Sequence, residues 1–486
     1  MGEGRESANA AAETGRAHLL GICGTAMVAL ADGLQQLGYR VTGSDEQVYP
    51  PMSERLAELG IAIQQGYAPA NIPPDTDWVV VGNVIRESNP EAREMRRRGL
   101  PFLSMAEAVH RYLIAGRQAL AVVGTHGKTT TTALAAHTLT ALGAEPGLLV
   151  GGIAKNFGGN FRLGGGRWFV IEGDEYDTAY FDKTPKFFKY RPKGLLFTSL
   201  EFDHGDIYPD LATIRAHFAR LIAGLPGDGL LVACADDPEV AALAAGAPCR
   251  TITYGRAREA DCRLEDWRPN GGFSLRWEGR RESWLMPLPG LHNALNATAV
   301  RLFAGWLGFS GQPLGAALAT FAGVKRRQEV RGEQDGVTVI DDFAHHPSAV
   351  AATIEAIGFS YPERRVWAVF EPRSFTARGA RFQTEFGRAF LAAGRVLLAP
   401  PFRPAHSAGQ PELDTGAVAA YLTGQGVAAQ AANSSGEILT TLLEETRAGD
   451  VVLIMSNGSF DNLHERLLDG LRQRSHDPLP AAGKDR

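Results

Sequence analysis

Short apolar runs punctuate this chain, and stretches in which apolar residues recur every three or four positions usually follow them. Continuous apolar runs are typical of strands buried on both faces of a parallel sheet, and the longer recurrence is typical of helices packed against it. The alternation therefore predicts a doubly wound α/β protein. Residues 260–288 differ, because scattered tryptophan and arginine predict an antiparallel meander there. The clearest apolar runs lie at 119–123, 168–171, 230–234, 366–370 and 451–455.

The chain has 486 residues, more than one ordinary core can hold, and this length predicts about three domains. A formal net charge of −5 gives no general attraction to nucleic acid or anionic membranes. Four scattered cysteines without C-x-x-C spacing suit a reducing compartment, and no charge-free apolar run is long enough to span a bilayer. We therefore expect a cytoplasmic protein without a nucleic-acid or membrane partner.

A phosphate-binding loop is predicted directly after the run at 119–123. Glycines, lysine and threonine lead there into a helix, so backbone N–H groups and the helix N-terminus can point at one anion. Lys128 would reach the β- and γ-phosphates of ATP, and the Thr129 hydroxyl would ligate Mg²⁺. Val122 replaces the first glycine of the general pattern, and the alternative is a threonine-rich helix start that only caps well. The expected ATP contacts are Gly124, Thr125, His126, Gly127, Lys128, Thr129 and Thr130.

Acidic residues follow two further predicted strands. Glu172 opens an acidic segment that extends to Asp177, and Glu201, Asp203 and His204 stand at the end of another apolar run. A hard cation such as Mg²⁺ prefers oxygen ligands, and phosphate oxygens can complete its coordination shell. These residues therefore predict a Mg²⁺ site near the phosphate loop. His204, flanked by acids, is a candidate for a second metal or phosphate contact. The alternative is a solvated acidic turn.

The N-terminal segment has the outline of a dinucleotide-binding unit, a strand, glycine turn, helix and second strand that ends in an acid. Cys23 and Ala26 occupy the second and third glycine positions, so the pattern supports a Rossmann-like fold and a phosphate-bearing ligand without fixing NAD. A later strand also ends in Gly82-Asn83, which predicts a diphosphate site between loops at one sheet edge. The candidate residues are Gly21, Gly24, Thr25, Ser44, Asp45 and Asn83.

Five segments in this order resemble the Mur ligases, the ATP-dependent enzymes that join amino acids to UDP-N-acetylmuramate. The resemblance covers about residues 17 to 470. It implies three α/β domains: a Rossmann-like UDP-binding domain, a central P-loop ATPase domain with a small antiparallel sheet, and a C-terminal Rossmann-like domain. The segments are Gly124–Thr130, Glu172–Asp177, His292–Ala297, Gly323–Arg327 and Asp341–Pro347.

The expected domain boundaries follow from this resemblance and from composition. The tails are expected to be disordered. The ranges are 1–16 for an N-terminal tail, 17–116 for the UDP-sugar domain, 117–325 for the ATP-binding domain, 326–472 for the peptide-binding domain and 473–486 for a second tail.

The resemblance also implies a mechanism and its residues. ATP would phosphorylate the substrate carboxylate, and an amine would attack the acyl phosphate. Lys128 would neutralise the transferring phosphoryl group, Thr129 and Glu172 would hold one Mg²⁺, and His204 would hold a second. The other implied ATP contacts are Asn293 and Asn296 to adenine, Arg327 to phosphate and Asp342 to the ribose. Taken alone, the two asparagines could equally cap their helix.

Two members of the family compete. One adds L-alanine, and the other attaches L-alanyl-γ-D-glutamyl-meso-diaminopimelate to UDP-N-acetylmuramate during murein recycling. The segments Val48–Ser53, Gly82–Asn83, Tyr180–Phe187 and Glu371–Ser374 resemble the tripeptide-adding member. The expected partners are thus UDP-N-acetylmuramate and the murein tripeptide, with lysine in place of diaminopimelate left open.

On the amine side, His345 is a candidate to orient or deprotonate the nucleophile. Arg373, Ser456 and Asn457 are candidates to bind the peptide carboxylates. A Rossmann oxidoreductase and a catalytically silent nucleotide-sugar sensor are the alternatives from other classes. The oxidoreductase leaves the phosphate loop unexplained, and the complete set of reactive residues argues against the sensor. Monomer and dimer both remain open.

Overall fold

The structure is a computed structural model that describes residues 15–49, 52–402 and 411–476. Of the expected tails, residues 1–14 and 477–486 lie outside the described part, as do two prolines of the 48–53 segment. The described chain begins a strand at Arg16 and continues a helix to His476, so both expected tails overlap regular structure at their inner ends. Among the described residues, no helix combines the length and apolarity needed to cross a membrane.

The N-terminal region forms a five-stranded, wholly parallel sheet in the order β3-β2-β1-β4-β5. This is the expected Rossmann-like arrangement. A short 3₁₀ turn at Pro69–Asn71 and a π-helical segment at Val109–Ile114 complete it. The elements are β1 (Arg16–Leu20), α1 (Thr25–Gln36), β2 (Arg40–Asp45), α2 (Met52–Glu58), β3 (Ile63–Gln65), β4 (Trp78–Val81), α3 (Pro90–Arg97), β5 (Phe102–Ser104) and α4 (Met105–Ala108).

The central region continues the alternation of strands and helices. Its elements are β6 (Gln118–Val123), α5 (Lys128–Ala141), β7 (Gly147–Ala154), β8 (Gly159–Arg162), β9 (Trp168–Glu172), β10 (Asp177–Ala179), β11 (Asp182–Pro185), α6 (Phe187–Tyr190), β12 (Gly194–Phe197), α7 (Leu211–Ala223), β13 (Leu230–Cys234), α8 (Pro238–Ala244), β14 (Arg250–Gly255), β15 (Cys262–Trp267), β16 (Gly272–Trp277), β17 (Arg280–Leu285), α9 (Leu291–Trp306) and α10 (Gly311–Ala319).

Strands β12 to β17 follow one another across a sheet, and β6, β9, β7 and β8 are also neighbours in that order. The pairs β15–β16 and β16–β17 are antiparallel, which confirms the meander expected at 260–288. Because β14 pairs with β15 in parallel, the meander extends the parallel strands instead of standing apart.

The C-terminal region forms a six-stranded sheet in the order β18-β19-β23-β20-β21-β22, in which only the β18–β19 pair is antiparallel among the described pairings. Its elements are β18 (Glu329–Gln334), β19 (Val337–Asp342), α11 (Pro347–Ser360), β20 (Val366–Phe370), α12 (Phe375–Arg378), α13 (Gln383–Ala389), β21 (Arg395–Leu398), α14 (Thr415–Gly424), β22 (Ala428–Ala431), α15 (Ser435–Glu445), β23 (Val451–Met455) and α16 (Leu463–His476).

Strand β20 shows why the apolar runs are continuous. Val366, Ala368 and Phe370 pack into the core on one face of the sheet. Trp367 and Val369 pack into a second core on the other face. Successive strand residues point to opposite faces, so a strand covered on both sides must be apolar at every position.

The described chain divides into two compact units. The first comprises the described residues of Met1–Ala121, Ala144–Gly151 and Asn160–Lys193, and the second comprises those of Val122–Gly143, Gly152–Gly159 and Gly194–Arg486. The phosphate loop, the end of β12 and the C-terminal sheet therefore belong to one unit, and Glu172 belongs to the other.

A buried carboxylate connects several elements of the first unit by hydrogen bonds. Glu91, at the start of α3, has no exposed surface. Its Oε1 accepts hydrogen bonds from the Ala68 N–H at 3.1 Å and the Asn71 amide at 2.7 Å. Its Oε2 accepts a hydrogen bond from the Ser44 hydroxyl and lies 3.4 Å from His18 Nε2. One side chain thus links β1, β2, α3 and the turn after β3.

We predict that Glu91→Ala lowers the free energy of unfolding by roughly 2–4 kcal/mol, since several buried donors lose their acceptor together. Urea denaturation of the full chain measures the change. Glu87→Ala is the control, because Glu87 is exposed and pairs with Arg96 at the surface, where an ion pair contributes about 0.5 kcal/mol or less. Equal effects of the two substitutions would contradict the prediction.

Candidate active site

The phosphate loop depends on two glycines. Gly124 has φ 129° and Gly127 has φ 79°, values in the left-handed region that favours glycine. A Cβ on Gly124 would lie 2.7 Å from the Ser199 carbonyl oxygen, and one on Gly127 would lie 2.9 Å from Asn296 Oδ1. Gly127 is the N-cap of α5, and no side chain caps that helix. The alternative interpretation, in which the threonines serve only to cap the helix, is therefore wrong.

The segment after β12 holds this loop in place. The Thr125 N–H donates to the Ser199 carbonyl, and the His126 N–H donates to the Ser199 hydroxyl, both at 2.9 Å. The Thr198 hydroxyl donates to the His126 carbonyl at 2.5 Å. Lys128 curls over the loop, and its Nζ donates to the Gly124 carbonyl at 2.6 Å. These bonds hold the loop against the end of β12.

Arg327 reaches the helix end of the loop. Its Nη2 donates to the Thr129 hydroxyl at 3.3 Å, and its guanidinium stacks over Phe343 with 4.7 Å to the ring centroid. The expected phosphate-contacting arginine therefore lies beside the expected metal-ligating threonine. This places a positive charge where phosphate oxygens would gather.

Three residues predicted to contact the nucleotide also make hydrogen bonds within the protein. Asn293 and Asn296 are almost fully buried, and the Asn293 amide donates to the Pro289 carbonyl at 2.7 Å and to Gln328 Oε1 at 3.0 Å. Asp342 is buried too, and its two oxygens accept the N–H groups of Gln328 at 2.7 Å and Ala344 at 2.8 Å. In this geometry they brace the loop and the following turn, and their contacts with adenine and ribose stay predictions.

Glu172 stands at the end of β9, as expected. Its Oε2 accepts the Gly151 N–H at 2.6 Å. The acids that follow are partly neutralised by lysines, since Asp174 pairs with Lys186 at 2.7 Å and Asp177 with Lys183 at 2.9 Å. The acidic segment is thus not a uniform set of metal ligands.

Asp203 organises two histidines. It is buried, accepts the Thr376 hydroxyl at 2.6 Å, and lies 3.8 Å from the Nε2 atoms of both His204 and His345. Burial would raise the pKa of Asp203, but the two histidines and the Thr376 hydrogen bond hold it well below its usual range. An ionised Asp203 therefore lies close to both imidazole rings.

His345 is held in one tautomer. Its Nδ1 donates to the Phe343 carbonyl at 3.0 Å, which leaves a lone pair on Nε2. Burial lowers the pKa of His345 to about 4, outweighing the attraction of Asp203. The ring is thus neutral at neutral pH.

A second carboxylate, Glu201, lies between two other histidines. His126 Nε2 is 2.6 Å and His346 Nδ1 is 3.3 Å from Glu201 Oε2, and the Ser348 hydroxyl donates to Oε1 at 2.8 Å. Burial raises the pKa of Glu201, but the hydrogen bonds and charges of these partners lower it to about 2. Residues from the phosphate loop, from the end of β12 and from the start of α11 meet here.

The predicted UDP-sugar loop is formed in the first unit. The carbonyl of Ser44 accepts the Gly21 N–H at 2.9 Å, and Asp45 Oδ2 accepts the Cys23 N–H at 2.9 Å. Ser44 itself is fully buried with its hydroxyl on Glu91, so a direct ligand contact by this side chain does not fit. The predicted residues that remain at the exposed surface of this edge are Gly24, Thr25 and Asn83.

The predicted peptide contacts lie together after β20 and β23. The Ser456 hydroxyl is buried and donates to Glu371 at 2.5 Å, and Arg373 Nη1 lies 3.5 Å from the same carboxylate. The Arg373 guanidinium also stacks 3.8 Å from the Phe402 ring centroid. Asn457 Oδ1 is buried without a protein hydrogen-bond partner. Ser456 therefore supports the site, whereas the other two side chains remain candidates for contact.

Three family models cover most of the chain. They are the Mur ligase family catalytic domain at residues 16–117, the Mur ligase middle domain at 122–304 and the Mur ligase glutamate ligase domain at 326–458. The chain belongs to the Mur ligase family. It is thus an ATP-dependent ligase that forms an amide bond, and its three matched regions correspond to the three-domain α/β architecture of that family.

Relatives from two branches of the family are similar over long stretches. The UDP-N-acetylmuramate–L-alanyl-γ-D-glutamyl-meso-2,6-diaminoheptandioate ligase of Escherichia coli K12 is 36% identical over 472 residues, which cover 95% of this chain and 99% of the relative. The UDP-N-acetylmuramate–L-alanine ligase of Rubrobacter xylanophilus is 39% identical over 386 residues, covering 79% and 83%. The crystal structure of a murein peptide ligase from Psychrobacter arcticus 273-4 is 32% identical, covers 94% of this chain and 98% of its own, and has a TM-score of 0.69.

Sequence reasoning missed the organising carboxylates. The sequence places Glu201 and Asp203 only among the acids of a predicted Mg²⁺ site, and it indicates no role for His346 or Thr376. The only local signal was the presence of two acids, Glu201 and Asp203, directly after the apolar run of β12. The partners themselves come from distant parts of the sequence and could not be paired from spacing.

We predict that stability falls as the pH is lowered from about 6.5 to about 4. Burial lowers the pKa of His292 to about 4, as it does for His345. In the unfolded chain these rings bind protons near pH 6.5, so the unfolded state takes up more protons across this window. Urea denaturation at several pH values measures the effect. His292→Gln should show a shallower fall than the wild type, and an unchanged pH dependence would contradict the assignment.

Proposed function

We propose that this protein joins L-alanyl-γ-D-glutamyl-meso-diaminopimelate to UDP-N-acetylmuramate at the expense of ATP, in murein recycling. The observation that carries the proposal is the similarity to a ligase of that name along 99% of the relative's length. The loop at Gly124–Thr129 supplies groups for ATP. The two histidines beside Asp203 supply groups for the reacting centre, and Arg373 with its neighbours supplies groups for a peptide. The proposed substrates are small molecules.

The reaction requires activation, because a carboxylate is a poor electrophile. Transfer of the γ-phosphoryl group of ATP to the muramate carboxylate gives an acyl phosphate, and attack by the peptide amine then releases phosphate. Phosphoryl transfer depends mainly on positioning and charge neutralisation. Lys128 and Arg327 are the cations placed at the loop for that purpose, and Gly124 and Gly127 let the backbone approach the phosphates.

The proposed metal ligands are Thr129, Glu172 and His204. A hydroxyl and a carboxylate are oxygen donors of the kind that Mg²⁺ prefers, and His204 offers a ring nitrogen 3.8 Å from the ionised Asp203. The donor chemistry therefore fits. Bound Mg²⁺ would screen the charges on the phosphates and the substrate carboxylate.

His345 is better suited to orient the amine than to deprotonate it. With its Nδ1 hydrogen on Phe343, the Nε2 lone pair can accept a hydrogen bond from an incoming amine. A pKa of about 4 makes the ring a weak base toward an ammonium group. We therefore propose that the amine loses its proton elsewhere.

Arg373 and Asn457 are the proposed contacts to the peptide. A guanidinium can pair with a carboxylate through two hydrogen bonds, and a buried amide oxygen without a partner favours a ligand that donates to it. Gly458 leaves the space that the Arg373 side chain occupies, since a Cβ there would overlap it. The Ser456 hydroxyl donates to Glu371, and Glu371 in turn lies beside the Arg373 guanidinium.

The second candidate is ligation of L-alanine. The observation that favours it is the 39% identity to the L-alanine ligase of Rubrobacter xylanophilus, over 79% of this chain. Both candidates share the ATP chemistry and differ only in the amine.

We predict ADP release with Mg-ATP, UDP-N-acetylmuramate and the tripeptide, and little release when L-alanine replaces the tripeptide at the same concentration. Lys128→Ala should lower the rate by about 100-fold or more, because one charge on the transferring group is lost. A coupled assay measures ADP, and mass spectrometry identifies the product. Release with L-alanine alone would favour the second candidate, and no release with either amine would contradict both.

We further predict that Arg373→Lys raises the KM for the tripeptide by about tenfold and leaves the KM for ATP nearly unchanged, since lysine cannot pair with a carboxylate through two bonds. Steady-state kinetics measure both constants. Arg388→Lys is the control, because Arg388 is an exposed residue of α13. Equal effects on the two substrates would argue against a peptide contact.

A further inference from the structure

Two histidines and one glutamate converge within the second unit. One nitrogen each of His126 and His346 and one oxygen of Glu201 all lie within 4.8 Å of one another. We call these three side chains the His126–Glu201–His346 cluster. It uses none of the residues that we propose for the nucleotide-linked Mg²⁺, so it is a separate arrangement of donors.

The hydrogen-bond pattern of His346 leaves an atom unexplained. The side chain is about 5% exposed, and its Nε2 lies 3.3 Å from the Phe202 carbonyl oxygen, an acceptor. In the neutral ring Nε2 therefore carries the hydrogen, and Nδ1 presents a lone pair. That buried Nδ1 has no hydrogen-bond partner, yet it faces Glu201 Oε2 at 3.3 Å.

Two lone pairs that face each other at this distance repel unless a cation lies between them. A metal ion resolves the conflict, because a metal-ligating histidine commonly donates its other ring N–H to a backbone carbonyl. The Phe202 carbonyl fills that role for His346. The Ser348 hydroxyl likewise donates to Glu201 Oε1 and directs Oε2 toward the two rings.

We infer that the His126–Glu201–His346 cluster binds a divalent transition-metal ion, of which Zn²⁺ is the best match. Two imidazole nitrogens and one carboxylate form a three-ligand set that Zn²⁺ accepts with a fourth position open. Mg²⁺ prefers oxygen ligands and suits the cluster less well. The spacing of 3.3 Å from His346 to Glu201 is already near that of two ligands on one tetrahedral ion, and His126, now 2.6 Å from Glu201, would have to move outward.

Such an ion would have a structural effect. His126 belongs to the phosphate loop, Glu201 follows β12, and His346 precedes α11. One ion would thus fasten the loop to the start of the C-terminal sheet region. Glu201 is 37% exposed at its side chain, which gives an ion access from solvent. The inference does not depend on which amine the enzyme uses.

The test is metal binding by the full chain after treatment with a chelator. Co²⁺ is added in the presence of excess Mg²⁺, and its visible d–d absorption reports coordination by nitrogen ligands. We expect one Co²⁺ per chain, displaced by one equivalent of Zn²⁺, and a higher melting temperature with Zn²⁺ than without it. His346→Gln and Glu201→Gln should each weaken binding by about tenfold or more and remove the thermal shift.

Two matched variants separate this site from others. His137→Gln should bind as the wild type does, because His137 lies on α5 outside the cluster and contacts Ala317 and Thr320. Glu172→Gln should also retain the Co²⁺ band, since Glu172 belongs to the proposed nucleotide-linked site. Should His346→Gln fail to fold by circular dichroism, the half-exposed Glu201 variant decides. Absence of binding by the wild type, or binding that survives both cluster substitutions, would overturn the inference.

Discussion

The second unit is organised by two carboxylates that follow β12. Glu201 faces His126 and His346, and Asp203 faces His204, His345 and Thr376. A carboxylate removed from water is costly unless several donors surround it, so each of these groups stabilises one arrangement of its partners. Apart from His204, which follows Asp203 directly, the partners come from the phosphate loop, from the turn before α11 and from α12. The reactive geometry therefore depends on a seven-residue stretch, 198–204, that itself makes few contacts with a substrate in our proposal.

This dependence explains how a shortened phosphate loop can work. The position of the usual first glycine is Val122, which is fully buried within β6. The turn begins later, at Gly124, where Thr198 and Ser199 occupy the space that a side chain would need. Asn296 fills the corresponding space at Gly127. Hydrogen bonds from outside the loop thus fix its shape, which in a longer loop the additional glycine would help to determine.

Much of the fold could be predicted from the sequence, because strands buried on both faces, such as β20 and β23, are continuous runs of apolar residues. The phosphate loop was predictable for a similar reason, since its glycines, Lys128 and Thr129 are local. Polar residues were harder. Ser44, Asn293 and Asp342 have the residue types of ligand contacts, and the structure turns each of them toward buried protein groups. Residue type and spacing do not tell whether a polar side chain faces a ligand or the interior.

The same limit applied to the histidines, and here charge separates their roles. His345 donates to a carbonyl and keeps a lone pair directed near Asp203, which suits a neutral group that accepts a hydrogen bond. His346 also has its hydrogen on a carbonyl, but its lone pair meets a carboxylate whose partners hold it ionised. These adjacent residues of one turn thus suit different ligands: His345 suits a hydrogen-bond donor such as an amine, and His346 suits a cation. The difference arises because His345 lies beside Asp203, whereas His346 lies beside Glu201.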